Sequence, residues 1–145
     1  MPIGIGRRAV ALAVVLLAAL TVLAQQRRDR GPEVRKIKGV NYPRLANLAG
    51  IQGSVELKAK VSANGIVEGV RVISGHELLV GSARQALQGW EFRCPDRTAS
   101  CEVSVTFTFE LLDDLCDRAS CPGELEVTLP NAVTVRAKRL RAIAD

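Results

Sequence analysis

Residues 103–111 (VSVTFTFEL) alternate apolar and polar side chains without a break. Successive side chains of a strand point to opposite faces. The pattern therefore puts Val103, Val105, Phe107, Phe109 and Leu111 on one side and Ser104, Thr106, Thr108 and Glu110 on the other. A helix would need apolar positions every three or four residues, so this segment predicts a strand with one face in a core and one in water. A chain that contains it must build a sheet and cover one of its faces. Residues 54–61 repeat the alternation, with Val55, Leu57, Ala59 and Val61 opposed to Glu56, Lys58 and Lys60. Asn64-Gly65 follows, a dipeptide suited to a tight primed turn with positive φ at both central residues. Residues 66–73 then return as a second strand, with Gly69 marking a bulge.

Helical signals frame these strands. Asn41-Tyr42-Pro43 opens a short helix whose first turn suits Pro43, with Leu45, Leu48 and Ala49 as its apolar face and Gly50 or Gly53 to end it. Leu79, Ala83, Ala86, Leu87 and Trp90 form the stripe of a longer amphipathic helix. The order helix, strand, strand, helix, strand predicts an α+β fold. The hairpin pairs the first two strands. The crossover helix lets the third lie beside the first, giving an antiparallel three-stranded sheet in order 2-1-3 with both helices on one face. The third strand then offers an unpaired outer edge.

The chain has 145 residues, 20 Lys and Arg against 15 Asp and Glu, and a single His. That length suits one ordinary domain. Its charge is divided: residues 1–24 carry +2, residues 25–38 carry +4, residues 39–130 carry −4 and residues 131–145 carry +3. The basic excess thus belongs to the flanks, and neither flank offers the aromatic residues of a nucleic-acid groove. No nucleic-acid partner is expected. Residues 1–24 read as an export signal: Arg7 and Arg8 precede an apolar run, and Val22-Leu23-Ala24 carries the small residues of a cleavage site. An uncleaved anchor is the alternative, although a 16-residue run spans only about 24 Å against a hydrocarbon core of about 30 Å. A membrane role is expected only if that segment stays uncleaved. Either way the chain is bound for the periplasm or cell envelope. Residues 25–38 read as a basic tether.

Export decides the use of the cysteines. Three pairings are open, and closeness in sequence favours Cys94–Cys101 with Cys116–Cys121. An oxidising compartment makes disulfides the expected use of an even count. A four-cysteine zinc site is the alternative, and the spacings fit it poorly. No metal or cofactor is expected.

Tyr42-Pro43, Gln52-Gly53-Ser54-Val55, the Asn64-Gly65 turn, Val70-Arg71-Val72 and residues 86–90 with Phe92 together resemble the C-terminal domain of TonB family proteins. The resemblance covers residues 42–112 of an expected domain at 39–112. It implies the same helix–strand–strand–helix–strand fold and a non-catalytic role in transport across the envelope. It also implies a protein partner, a short extended segment of an outer-membrane receptor, added as a strand beside the third strand at Val103, Ser104, Val105, Thr106, Phe107, Thr108, Phe109, Glu110 and Leu111. Such recognition runs on main-chain hydrogen bonds and needs a free edge. A free edge also admits a second copy, so a homodimer is open. The leader lacks the polar residues expected of a motor-contacting helix. The 14-residue tether reaches only about 46–50 Å when fully extended, short for a force-transmitting spacer.

Residues 113–145 extend beyond that domain. Residues 124–129 and 133–137 alternate like two further strands around Pro130-Asn131. One of them is expected to cap the third strand's outer edge, which would make the protein a structural or scaffolding one; a separate hairpin on the open sheet face is the alternative. Other candidates have plain readings. His76 with Ser74 or Ser82 is a helix-entry residue rather than a catalytic pair. Asp113-Asp114 is a solvated turn, short of the oxygen ligands calcium wants. Gly4-Ile5-Gly6 lies in the leader and is no phosphate loop. Trp90 and Phe92 are core residues. Arg136, Lys138, Arg139 and Arg141 are basic surface that would suit an anionic polymer or lipid.

Overall fold

The computed structural model describes residues 11–19, 31–116, 124–128 and 131–140. The chain divides into two compact units, Met1–Gly31 and Pro32–Asp145. In the first, residues 11–19 are helical; the expected cleavage site lies outside the described residues. Among the described residues, no helix is long and apolar enough to cross a membrane.

In the second unit the elements run β1 (Glu33–Lys36), α1 (Arg44–Leu48), β2 (Gly53–Val61), β3 (Val67–Ser74), α2 (Glu77–Gln88), β4 (Glu91–Arg93), β5 (Cys101–Cys116), β6 (Glu124–Thr128) and β7 (Ala132–Leu140). The α+β expectation holds. The main sheet has the order β3-β2-β5-β7-β6, and β1 and β4 form a second, two-stranded sheet. β2 pairs antiparallel with both β3 and β5.

The alternation predicts the core directly. Val55, Leu57, Ala59 and Val61 of β2 are buried together with Val103, Val105, Phe107, Phe109 and Leu111 of β5. Leu79, Ala83, Ala86 and Leu87 of α2 cover that face, and Trp90 packs against Phe92 and Phe107 at centroid distances of 5.9 and 5.8 Å. α2 lies against β2 and β3, while α1 lies against β7.

Several expectations need correction. The tether reading fails for residues 33–36, which form β1 and pair antiparallel with β4. Main-chain pairing and a single inward residue, Val34, hold this strand, so its charged sequence carried no alternation. The indole N–H of Trp90 donates to Lys38 O at 3.0 Å, tying the following residues down as well. α1 spans five residues and buries Ala46 and Asn47; Leu45 and Leu48, expected inward, are exposed.

The hairpin loop also differs. Ser62 N donates to Ile66 O and Gly65 N to Ser62 O, both at 2.9 Å, and among the described residues none other than glycine has positive φ. The connection is thus a three-residue loop, Ala63-Asn64-Gly65, with only Gly65 in the left-handed region, at φ 90°. This is the type I turn plus glycine bulge that ranks behind the two-residue primed turns in frequency. The reason is local: Gly65 O accepts from Phe92 N at 2.9 Å, and a Cβ on Gly65 would lie 2.0 Å from Phe92 O. The turn is shaped to receive β4.

The C-terminal extension continues the main sheet, so the reading of a separate hairpin on the open face is overturned. β7 pairs with β5 in parallel, and β6 pairs with β7 antiparallel on the outside. The Cys94–Cys101 disulfide is formed, with a Cα separation of 5.8 Å. The Cys116–Cys121 pairing lies outside the described residues.

Candidate functional site

β5 is the element on which the sequence placed the partner-binding edge, and its two sides are used unequally. β2 runs along it from Phe109, opposite Gly53, to Cys101, opposite Val61. β7 runs along the other side from Thr106, opposite Ala132, to Cys116, opposite Leu140, with a register irregularity between Leu112 and Leu115. Thr106, Phe107, Thr108, Phe109, Glu110 and Leu111 therefore face a strand of their own chain. Val103, Ser104 and Val105 lie before the start of that pairing. The nine candidate residues thus stand together on one strand, and only the first three have no β7 partner opposite them.

Three kinds of contact hold β7 in this place. Val133 and Val135 point inward and are buried to 2% and 3% exposure, extending the apolar layer of Phe107 and Phe109. Asn47, 7% exposed, uses both ends of its amide: Nδ2 donates to Lys138 O at 2.9 Å, and Oδ1 accepts from Leu140 N at 2.8 Å. On the opposite, polar face, Arg136 bridges Glu110 of β5 and Glu126 of β6, at 3.0 Å each. These carboxylates raise the Arg136 pKa above its ordinary value, chiefly through the hydrogen bond to Glu110. Lys138 pairs with Asp114 at 3.6 Å. The basic tail residues read as free surface are therefore partly engaged: Arg136 and Lys138 have acidic partners within the sheet. Asp113-Asp114, read as a turn, belongs to β5.

The remaining candidates separate cleanly. The His76 side chain caps α2, with Nδ1 accepting from Leu78 N at 3.2 Å. Ser82 donates its hydroxyl to Asn41 O, which occupies it away from His76. Trp90 and Phe92 are core residues, each 2% exposed. Tyr42 packs edge-on against Phe109 at 5.4 Å and donates to Ile51 O; burial raises its pKa, with Arg139 acting in the opposite sense. Asn47 was missed by sequence reasoning. A single amide among leucines on a five-residue helix carries no periodic signal, and its partner strand lies about ninety residues away.

A family model described as the Gram-negative bacterial TonB protein C-terminal domain matches residues 38–111, just over half of the chain. The chain belongs to the TonB C-terminal family. A search of curated proteins found no match. Among solved structures, the solution NMR structure of the Pseudomonas aeruginosa TonB C-terminal domain is similar, at 20% identity and a TM-score of 0.45, covering 55% of this chain and 86% of that one. The TonB family match ends at Leu111, so β6 and β7 lie beyond it. The strand alongside β5 therefore falls outside the matched residues, and β1 precedes them on the other side.

Proposed function

We propose that this chain is a non-catalytic cell-envelope protein that acts in TonB-type transport through protein interaction, and that its own C-terminal hairpin fills the position an extended partner would take. Family membership supports the transport role and the envelope location. The observation that carries the capping reading is the parallel register of β7 on β5 from Thr106–Ala132 onward. Strand addition needs open main-chain groups on an edge, and β7 satisfies those groups along Thr106–Leu111.

A second reading is favoured by the place where that register begins. Val103, Ser104 and Val105 precede β7, so an extended segment of an outer-membrane receptor would have a three-residue foothold from which to displace the hairpin. On this reading the whole stretch Val103–Leu111 serves as the partner edge.

Titration with peptides from receptor plug segments, followed by NMR, separates the two. The exported chain from Gln25 is compared with a form ending at Leu112 and with the Asn47→Ala variant of the longer chain. Binding only after truncation supports self-capping. Binding to the longer chain, with loss of amide protection across β7 and enhancement by Asn47→Ala, supports displacement. No binding by any form sinks strand addition on β5 altogether.

A further inference from the structure

The β1–β4 sheet and the hairpin tip border a half-open cavity of about 270 Å³, lined by Arg35, Asn64, Phe92, Arg93, Cys94 and Arg97 among others. It is slightly smaller than the roughly 300–1,000 Å³ of ordinary small-molecule sites. Three arginines from three separate elements line it: Arg35 from β1, Arg93 from β4, and Arg97 from the loop between β4 and β5.

Their placement is specific. In the β1–β4 ladder Val34 faces Phe92 and Lys36 faces Glu91, so Arg35 is the extra residue of a β-bulge. Bulges re-aim a side chain, and they concentrate beside functional sites. Here the bulged residue is one that lines the cavity. The Cys94–Cys101 disulfide closes the loop that carries Arg97. Asp96, the nearest carboxylate in sequence, is committed elsewhere: it accepts from Thr98 N at 2.8 Å and from Thr98 Oγ1 at 2.6 Å. Among the described residues the ion pairs leave Arg35 and Arg97 without an acidic partner, and Arg93 has Glu33 at 3.5 Å. Among the described residues no carboxylate lines the cavity.

We propose that Arg35, Arg93 and Arg97 form a binding site for a phosphate ester. Like charges gathered in one cavity repel unless an anion joins them, and planar guanidinium forks match phosphate oxygens in bidentate fashion. A single carboxylate offers two oxygens and one charge, enough for one fork. A phosphate group offers more oxygens, and a monoester carries close to two charges. The volume exceeds a bare ion's need, since one water occupies about 30 Å³ of liquid, and so leaves room for a small esterified group. The monoester belongs either to a free metabolite or to phosphatidic acid, the phospholipid whose headgroup is itself a phosphate monoester. The chemistry that binds it is the same.

The test uses the full chain in non-ionic micelles, observed through the arginine side-chain N–H signals. Inorganic phosphate, glycerol phosphate and phosphatidic acid doped into the micelles serve as separate probes, with acetate as the control. Saturable shifts of the three arginines with phosphate probes are expected, together with at least about a tenfold loss of affinity in the double variant Arg35→Ala/Arg97→Ala. A response to glycerol phosphate alone identifies a free ester; a response to phosphatidic acid alone identifies a headgroup. Both support the site. Arg97→Ala, in a loop outside any strand, provides a second variant whose fold does not depend on the bulge. No saturable response to any phosphate probe, equal affinity in the variants, or acetate binding as tightly as phosphate overturns the proposal.

Discussion

Asn47 Nδ2 donates to the main-chain oxygen of Lys138 at 2.9 Å, fastening a five-residue helix to a strand ninety-one positions away. The same amide accepts from Leu140 N at 2.8 Å. Near the C-terminal end of β7, where the ladder with β5 becomes irregular, a side chain thus supplies two of the hydrogen bonds that keep the strand seated. The helix itself exposes its leucines. Its contribution to the C-terminal hairpin is this buried amide.

Asn47→Ala should therefore lower stability by about 1–2 kcal/mol, because it leaves a half-buried carbonyl and a half-buried N–H without partners. Amide exchange should quicken most at residues 138–140. Denaturant unfolding with residue-resolved hydrogen exchange checks both. A loss spread evenly over the sheet would contradict the local role.

Arg136 makes the more conspicuous contacts, with two carboxylates at 3.0 Å, yet it should matter less. All three side chains are more than a third exposed, and exposed ion pairs contribute about 0–1 kcal/mol and weaken with salt. Arg136→Ala should cost less than Asn47→Ala in low salt, and its effect should shrink further in high salt. A cost larger than that of Asn47→Ala would reverse the ranking.

The main sheet was legible because β2 and β5 each bury every second residue, and α2 because Leu79, Ala83, Ala86 and Leu87 share one stripe. β7 was partly legible: Val133 and Val135 alternate, although the strand runs on to Leu140 through residues that do not. β1 and β4 were illegible. In both, main-chain pairing to a single neighbour decides the structure, and each places one apolar residue inward, Val34 and Phe92. At the proposed partner edge, the sequence could name the strand but could not say which of two further strands would lie beside it. Parallel pairing of β7 places the later strand of the hairpin next to β5 and leaves the earlier one outside.

Gly65 is the residue where the hairpin and β4 meet. Its φ of 90° disfavours any side chain, and a Cβ would clash with Phe92 O at 2.0 Å. Gly65→Ala should cost about 3 kcal/mol or more, combining left-handed strain with forced separation of β4 from the turn. Thermal unfolding measures the cost. Nuclear Overhauser contacts between residues 65 and 92 should be lost before those between β2 and β3. A variant as stable as the parent would mean that the turn and β4 are independent.

The Cys94–Cys101 bond closes a short loop between β4 and β5. On the chain-entropy view an eight-residue loop contributes about 2.5 kcal/mol. Cys94 is 3% exposed, so its replacement by serine would add the cost of an introduced hydroxyl to the lost cross-link. Reduction of the parent chain is the cleaner comparison. It should lower the unfolding midpoint in denaturant without changing β2–β5 pairing, and an unchanged midpoint would show that the folded sheet alone holds the loop closed.

Inside that loop, hydrogen bonds from the Thr98 hydroxyl and then the Thr98 N–H hold the Asp96 carboxyl below its ordinary pKa. A folded-state value below the unfolded one, about 3.9 for Asp, means that the unfolded chain binds the proton more readily. The associated stability is then complete above the unfolded value and is lost as the pH falls through the lower folded value. Thr98→Ala removes the hydroxyl and should raise the Asp96 pKa toward the ordinary range, moving the loss of loop order to higher pH. Carboxyl carbon shifts followed through an acid titration report the value directly. If Asp96 titrates at the same pH in the parent and the variant, the hydroxyl does not hold the carboxylate, and the Thr98 N–H alone does.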